Sequence, residues 1–88
     1  MTHELKIYPQ YYCRVADGSK TFEVRKNDRG FQPGDFVILR EFDPTRQYVT
    51  SDSPGIYIES PNLKFKIGYV FTIDSEKVVF SLLKCEEV

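Results

Sequence analysis

Apolar and polar residues alternate along residues 63–73, which is the longest regular pattern in the chain. The apolar residues that share one parity are Leu63, Phe65, Ile67, Tyr69, Phe71 and Ile73. A period of two predicts a strand with one buried face. The polar residues 74–76 then predict a turn into a last strand over residues 77–83. The end of the chain is therefore predicted to be a hairpin.

Residues 36–39, Phe-Val-Ile-Leu, are apolar on both parities and follow the turn signal of residues 33–35. This pattern predicts a central strand that is covered on both sides. Near the start, Leu5 and Ile7 share a parity and indicate a short strand. Both segments favour a β-rich fold.

Residues 9–17 open with Pro9 and carry apolar side chains at helical spacing before they reach Gly18. Proline suits the first turn of a helix and glycine suits its end, so this segment is predicted to be the principal helix. Residues 44–62 are rich in Ser, Thr, Asp, Pro and Gly, and they predict a long excursion with a short edge strand at residues 56–58.

The order of these elements predicts a single domain over residues 1–88, of mixed α+β class and rich in β-structure. A small closed or mixed barrel with one helix at its side fits that order. No internal repeat, low-complexity tract or linker divides the chain. The sequence leaves the oligomeric state open and is compatible with a monomer.

The net charge is −1, so no global positive field draws the chain to nucleic acid or to a membrane surface. Apolar runs are only a few residues long, against about 20 for a membrane span, and the start lacks a signal-peptide pattern. We therefore predict a cytoplasmic protein with no membrane partner. Cys13 and Cys85 are predicted to be reduced structural thiols. With His3 as the lone histidine, no metal-ligand spacing exists and no cofactor is indicated.

The segment from Gly18 to Arg25 is the best candidate for a functional site. Its middle predicts a strand with Phe22 and Val24 toward the core. Thr21, Glu23 and Arg25 would then share the opposite face. Local charge supports a site here, because residues 12–30 carry five cations and three carboxylates, whereas residues 31–63 carry two cations and five carboxylates.

Two interpretations of these charges remain open. In the first, Lys20, Glu23 and Arg25 are solvated groups with an ordinary ion pair, worth about 0–1 kcal/mol. In the second, they converge on a pocket where Lys20 and Arg25 donate hydrogen bonds to a phosphate, carboxylate or carbonyl oxygen. Glu23 would then accept from a base edge or hold Arg25 in place.

Other residues are auxiliary candidates. His3 shares the parity of Leu5 and Ile7, and a structural histidine bonded to the backbone is preferred over a proton-transfer role. Stacking faces for a base are available from aromatic residues, although such residues usually belong to the core of a β-rich domain. The aromatic candidates are Tyr11, Tyr12, Phe31 and Tyr48, and the further cationic ones are Lys26 and Arg29.

The spacing Gly18-x-Lys20-x-x-Glu23-x-Arg25 resembles that of the ASCH domains of the PUA-like superfamily. Together with residues 3–7, 20–29 and 39–43, it is also similar to a family of short, largely uncharacterised bacterial and phage proteins. The resemblance implies a PUA-like barrel with a cleft beside the helix. It also implies RNA or nucleotide binding in that cleft by Lys20, Glu23 and Arg25, with Gly18 and Thr21 beside them.

Two other functions stay open. Some similar ASCH proteins cleave the acetyl amide of acetylated cytidine with the motif lysine, a threonine three residues later and a distant glutamate. In this chain Glu23 occupies the threonine position, which removes the nucleophile of that mechanism, although Thr21 lies two residues earlier. A scaffold that binds other proteins through the 44–62 loop is the third possibility. A binding module is preferred, and whether the protein is an enzyme is left open.

Overall fold

A six-stranded mixed sheet and a short helix make up the fold in the computed structural model, which describes residues 1–46 and 54–85. The elements in chain order are β1 (Thr2–Ile7), α1 (Pro9–Ala16), β2 (Phe22–Lys26), β3 (Phe36–Asp43), β4 (Ile56–Tyr57), β5 (Leu63–Thr72) and β6 (Lys77–Lys84). The predicted β-rich α+β class with one principal helix is confirmed.

The strand order of the sheet is β1-β3-β5-β6-β2, with β4 paired to β3 beside this path. β1 runs parallel to β3, and the other pairs are antiparallel. β1 and β2 are therefore the two ends of the sheet. Across the described residues no ladder joins these ends, so the hydrogen bonding is that of an open sheet and does not show the predicted closed barrel.

The helix α1 begins and ends where the local signals place it. Pro9 occupies the first turn, where its missing N–H leaves no hydrogen bond unmade. At the other end, Asp17 N–H bonds to the carbonyl of Cys13 at 3.0 Å, and Gly18 adopts φ 84°. A side chain disfavours that φ, and glycine turns the chain there without strain. The helix is eight residues long, and the described residues contain no helix that could cross a bilayer.

The predicted terminal hairpin is confirmed. The Asp74 carboxylate accepts hydrogen bonds from the N–H groups of Glu76 and Lys77, at 2.7 and 2.9 Å, and so closes the turn. β5 and β6 then pair antiparallel along most of their length.

A register shift in β5, between Ile67 and Val70, changes which side chains face the core. Before the shift Ile67 is buried, as its parity predicts. After it Val70 packs on the core, whereas Tyr69, Phe71 and Ile73 are exposed. The prediction of one continuous buried face is therefore wrong for the second half of the strand. An extra residue in one strand of a pair inverts the alternation beyond it.

The core lies on the inner face of the sheet and includes Val15 of the helix. Its buried apolar residues are Leu5, Ile7, Val15, Phe31, Val37, Leu39, Ile67, Val78, Phe80 and Leu82. β3 lies between β1 and β5, as expected for a central strand. Its second face is only half-buried, because Phe36 and Ile38 keep part of their surface in solvent.

The predicted edge strand at residues 56–58 corresponds to β4, which pairs with the end of β3. Gly55 precedes it with φ 95° and lies directly against the ring of Phe42. That close approach leaves no room for a side chain. Part of the predicted 44–62 excursion, residues 47–53, lies outside the described residues.

Candidate functional site

β2 faces the opposite way from its predicted orientation. Glu23 is inward and only 4% exposed, whereas Phe22 and Val24 are each 46% exposed. The register explains this arrangement, because Glu23 lies directly across from the buried Phe80 of β6, and paired residues share a face. A period of two shows that the faces differ but does not show which one is inside. The prediction that Phe22 and Val24 face the core is therefore wrong.

A buried carboxylate is tolerated here because two cations flank it. Lys20 Nζ donates one hydrogen bond to Glu23 Oε1 and a second, of 2.8 Å, to the carbonyl of Phe22. Arg25 Nε donates to Glu23 Oε2 at 2.9 Å, and its Nη2 lies 2.8 Å from the same oxygen. Both carboxylate oxygens are therefore engaged, which offsets the cost of removing the charge from water.

The two cations keep hydrogen-bonding capacity for a ligand. An ammonium has three N–H donors, and Lys20 uses two of them within the described residues. The guanidinium of Arg25 turns Nε and Nη2 toward Glu23, and Nη1 makes no hydrogen bond to the described part of the chain. Both side chains are about one-fifth exposed. Glu23 thus acts as a fixed support that positions two partly exposed cations.

A cleft of about 610 Å³ opens over this group. Its lining residues are Lys6, Ile7, Tyr8, Tyr11, Lys20, Glu23, Val24, Arg25 and Phe42. They come from the end strands β1 and β2, the start of α1, the end of β3 and the connecting residues Tyr8 and Lys20. The cleft therefore lies beside the helix, between the two ends of the sheet. Its volume lies within the range of small-ligand sites, roughly 300–1,000 Å³.

The lining carries a net charge of +2, because Lys6, Lys20 and Arg25 outnumber the single carboxylate of Glu23. The whole chain has a net charge of −1, so this excess is local. Aromatic rings adjoin the cations. Lys6 Nζ lies 4.3 Å from the ring centroid of Phe42, and Lys20 Nζ lies 5.6 Å from that of Tyr11. Positive charge beside apolar rings suits an anion that carries a flat apolar group.

The other predicted site residues do not all reach the cleft. Gly18 ends the helix, and Thr21 is exposed, with its carbonyl accepting a hydrogen bond of 2.9 Å from Leu82 N–H. Lys26 and Arg29 line a second depression. All four lie outside the lining of the cleft itself.

The predicted aromatic candidates are divided between core and surface. Tyr11 lines the cleft and Phe31 is buried in the core. Tyr12 lies elsewhere, where its hydroxyl donates to the carbonyl of Pro61 at 2.5 Å. Burial raises the pKa of Tyr12, and the carboxylate of Glu41 raises it further. Tyr48 lies outside the described residues.

His3 is a buried structural residue rather than part of the cleft. Its Nε2 lies 2.9 Å from Asp35 Oδ2, and its ring lies 4.7 Å from that of Phe31. The partner is thus a carboxylate and not the predicted backbone group. Asp35 also accepts from Gln32 N–H at 3.2 Å and lies 3.3 Å from the N-terminal ammonium of Met1. The contacts of Asp35 with His3 and Met1 link the start of the chain and β1 to the turn before β3.

The Asp35 contacts predict a loss of stability in acid. The hydrogen bond from His3 is the largest of the causes that hold the pKa of Asp35 below its ordinary value. A carboxyl group with a lowered native pKa stabilises the fold above its unfolded pKa, near 3.9, and this contribution is lost as pH falls through the native pKa. We expect the free energy of unfolding of Asp35→Asn to depend less on pH between about 5 and 2 than that of the unmodified protein.

Urea denaturation at stepped pH measures this difference. Asp28→Asn, at an exposed position, is the control. Equal slopes for Asp35→Asn and the unmodified protein would show that the Asp35 contacts do not govern the acid response.

Sequence reasoning missed Lys6, Tyr8 and Phe42 as cleft residues. Lys6 occupies an ordinary exposed position in the alternation of β1, and Phe42 follows an apolar run. Their convergence depends on how the ends of the sheet approach each other. No local pattern carries that information.

Metal ligands and thiols do not add to the site. Within residues 1–46 and 54–85, no three His, Cys, Asp or Glu side chains are grouped to hold a metal ion. Cys13 is exposed and Cys85 half-buried, and both are free thiols.

Known proteins place the chain in a family without an assigned function. A protein of Escherichia phage P2, described as "Uncharacterized 12.9 kDa protein in GpA 3'region", is 42% identical over 40 residues. The aligned part is 46% of this chain and 37% of the phage protein, so the match spans well under half of that relative. The predicted likeness to uncharacterised phage proteins is confirmed over these 40 aligned residues. The family model described as "Domain of unknown function (DUF3850)" matches residues 2–82, and the chain therefore belongs to the DUF3850 family.

Proposed function

We propose that this protein is an RNA- or nucleotide-binding module whose ligand occupies the cleft over Glu23. The observation that carries the proposal is the buried Glu23 carboxylate, which holds Lys20 and Arg25 at the cleft. Both cations keep N–H donors that make no hydrogen bond within the described residues. A phosphate accepts several charge-assisted hydrogen bonds from such a pair. Buried support of this kind fixes the cations before the ligand arrives, which reduces the entropy lost on binding.

The cleft also suits the base of a nucleotide. Tyr11 is half-exposed, and its ring lies within 5.6 Å of the Lys20 ammonium. In a nucleotide a single sugar separates the phosphate from the base. A nucleotide whose phosphate contacts Lys20 and Arg25 therefore has its base close enough to stack on Tyr11. Stacking on an aromatic side chain contributes roughly 1–3 kcal/mol per base.

The resemblance to ASCH domains belongs to the same proposal. The motif cations and carboxylate lie beside α1, and both ends of the sheet contribute to the cleft. This arrangement suits a PUA-like barrel in which the nucleic acid lies in the gap between the ends. The proposed site of action is the cytoplasm, where RNA and nucleotides are available.

The test is calorimetric titration with adenosine 5′-monophosphate and with adenosine. We expect the monophosphate to bind more tightly, because only it carries the anion for Lys20 and Arg25. Lys20→Ala and Arg25→Ala should each weaken monophosphate binding by about 10- to 100-fold, which corresponds to one lost charge-assisted hydrogen bond of roughly 1.5–3 kcal/mol. Lys66→Ala, which removes an exposed lysine outside the cleft, should bind normally.

Equal binding of adenosine and its monophosphate, or unchanged binding by both alanine variants, would contradict the proposal. A separate incubation with acetylated cytidine addresses the amidohydrolase alternative. None of the described cleft-lining residues is Ser, Thr, Cys or His, and both oxygens of Glu23 are engaged by cations. We therefore expect no release of cytidine, and turnover that Lys20→Ala abolishes would replace the binding module with an enzyme.

A further inference from the structure

A second depression of about 590 Å³ adjoins the cleft and shares two of its lining residues. Lys6 of β1 and Arg25 of β2 contribute to both. The two depressions therefore adjoin each other, and we call them together the basic groove. Lys6 and Arg25 mark the junction between its halves.

Positive charge continues from the cleft into the second depression. Lys26 and Arg29 join Lys6 and Arg25 there, against the carboxylates of Glu4 and Asp28. The carboxylate of Glu4 is already paired with Arg40 at 2.8 Å. Lys6 and Lys26 form no salt bridge with any carboxylate of the described residues. The basic groove thus has one cation at its junction and one in its second depression that form no ion pair within the described residues.

The exposed Arg29 side chain makes one hydrogen bond to the opposite end of the sheet. Its Nη1 donates a hydrogen bond of 3.3 Å to the carbonyl of Glu4 in β1. This contact joins the segment after β2 to the other end strand and forms a wall of the second depression. The remaining guanidinium donors of Arg29 have no other acceptor among the described residues.

Each half of the basic groove contains an exposed aromatic ring. Tyr11 lies in the cleft and Tyr57 in the second depression. The Arg40 guanidinium lies 3.8 Å from the ring centroid of Tyr57, and Phe42 contacts the same ring edge-on at 5.3 Å. These neighbours fix the orientation of Tyr57. Because Arg40 covers one face of the ring, a base would stack on the other face. Two aromatic rings with cations between them suit a single strand of nucleic acid, in which bases alternate with phosphates.

We propose that the basic groove binds a single-stranded oligonucleotide, with the phosphodiester between two nucleosides at Lys6 and Arg25. This inference rests on the proposed function and extends it from one nucleotide to at least two. A single strand is required because bases within a duplex are already stacked and paired, which leaves no face for Tyr11 or Tyr57.

The experiment compares uridine 5′-monophosphate with the 5′-phosphorylated dinucleotides of uridine and of deoxyuridine, which do not fold on themselves. We expect either dinucleotide to bind at least about 10-fold more tightly than the monophosphate, because it adds a second stacked base and a second phosphate contact. The dinucleotide should also show the steeper dependence of affinity on salt, because it displaces more counterions.

The double variant Lys26→Ala with Arg29→Ala should remove most of this gain, because these two side chains line the depression that would hold the second nucleoside. The double variant Lys66→Ala with Lys84→Ala, at exposed positions outside the groove, removes the same number of positive charges. It should retain the tighter binding of the dinucleotides. If the first variant unfolds more easily than the second, Lys26→Gln with Arg29→Gln replaces it, since glutamine keeps much of each side chain.

The outcomes separate the two proposals. Monophosphate binding with no gain for either dinucleotide would overturn the basic groove and leave the nucleotide site in place. A gain that survives Lys26→Ala with Arg29→Ala, or one that both double variants abolish equally, would also overturn it. Absence of binding by all three ligands would overturn the proposed function itself.

Discussion

Removal of both cations beside Glu23, by Lys20→Met with Arg25→Met, is expected to lower the free energy of unfolding by about 3–5 kcal/mol. Glu23 is 4% exposed, and its two oxygens accept hydrogen bonds from these side chains alone within the described residues. Without them, a buried carboxylate remains beside Phe80 with no counter-charge among the described residues. Methionine keeps the apolar stems in place, so the loss reports on charge rather than on packing.

Urea denaturation of this double variant should be compared with Lys66→Met and Lys77→Met, which remove the same charge from exposed positions. That control should change stability by less than about 1 kcal/mol. Addition of Glu23→Gln to the first double variant should restore about 1–2 kcal/mol, because an amide costs less to bury than a carboxylate. If the triple variant is no more stable than the double variant, the buried charge is not the cause.

The site itself follows in part from spacing that is short in sequence. Glu23 and Arg25 are two residues apart in a strand, so their side chains leave the same face. Lys20 precedes the strand closely enough for its long side chain to return to Glu23. Local geometry therefore predicts the convergence of these three residues, and the structure brings them into contact.

The direction in which that group faces does not follow from the sequence. The alternation in β2 is the same whether Phe22 and Val24 face the core or Glu23 and Arg25 do. Pairing with β6 decides between them, since Glu23 opposes Phe80, which lies 57 residues later in the chain. The usual preference for apolar residues inside fails here because two cations compensate the buried carboxylate.

The helix and the turns were predictable because their signals are local. Pro9 and Gly18 mark the ends of α1, and Asp74 caps the hairpin turn through its own carboxylate. The cleft was not predictable, because Lys6 and Phe42 reach it from strands that are distant in sequence. Long-range assembly of this kind leaves no periodic trace in either strand.

The bulge in β5 had one local sign, the glycine at position 68. Glycine within a strand commonly marks a bulge or a close backbone approach. Here a side chain at that position would meet Ser81 Oγ at 2.7 Å, and the next residue, Tyr69, donates its N–H to the same oxygen at 2.8 Å. The alternation of residues 63–73 nevertheless continues through Gly68 in the sequence, and it wrongly predicts that Phe71 faces the core.

Because of the register shift in β5, two phenylalanines of the same hairpin should differ greatly in their contribution to stability. Phe80 is 1% exposed and packs against Phe31 with ring centroids 4.8 Å apart, whereas Phe71 is 55% exposed. We expect Phe80→Ala to lower the free energy of unfolding by about 3–5 kcal/mol, because it removes a large side chain and leaves a cavity. Such a loss is a large share of the total stability of a small protein, roughly 5–15 kcal/mol.

Phe71→Ala removes the same atoms from the same hairpin and should cost less than about 1 kcal/mol, because most of the ring is already in water. Urea denaturation of the two variants under one set of conditions gives the comparison. Phe80→Ala should also weaken nucleotide binding, since it opens space beside Glu23 and lets water reach the carboxylate that positions Lys20 and Arg25. Equal losses of stability for the two variants would mean that the alternation of β5 continues through Gly68 and that Phe71 belongs to the core.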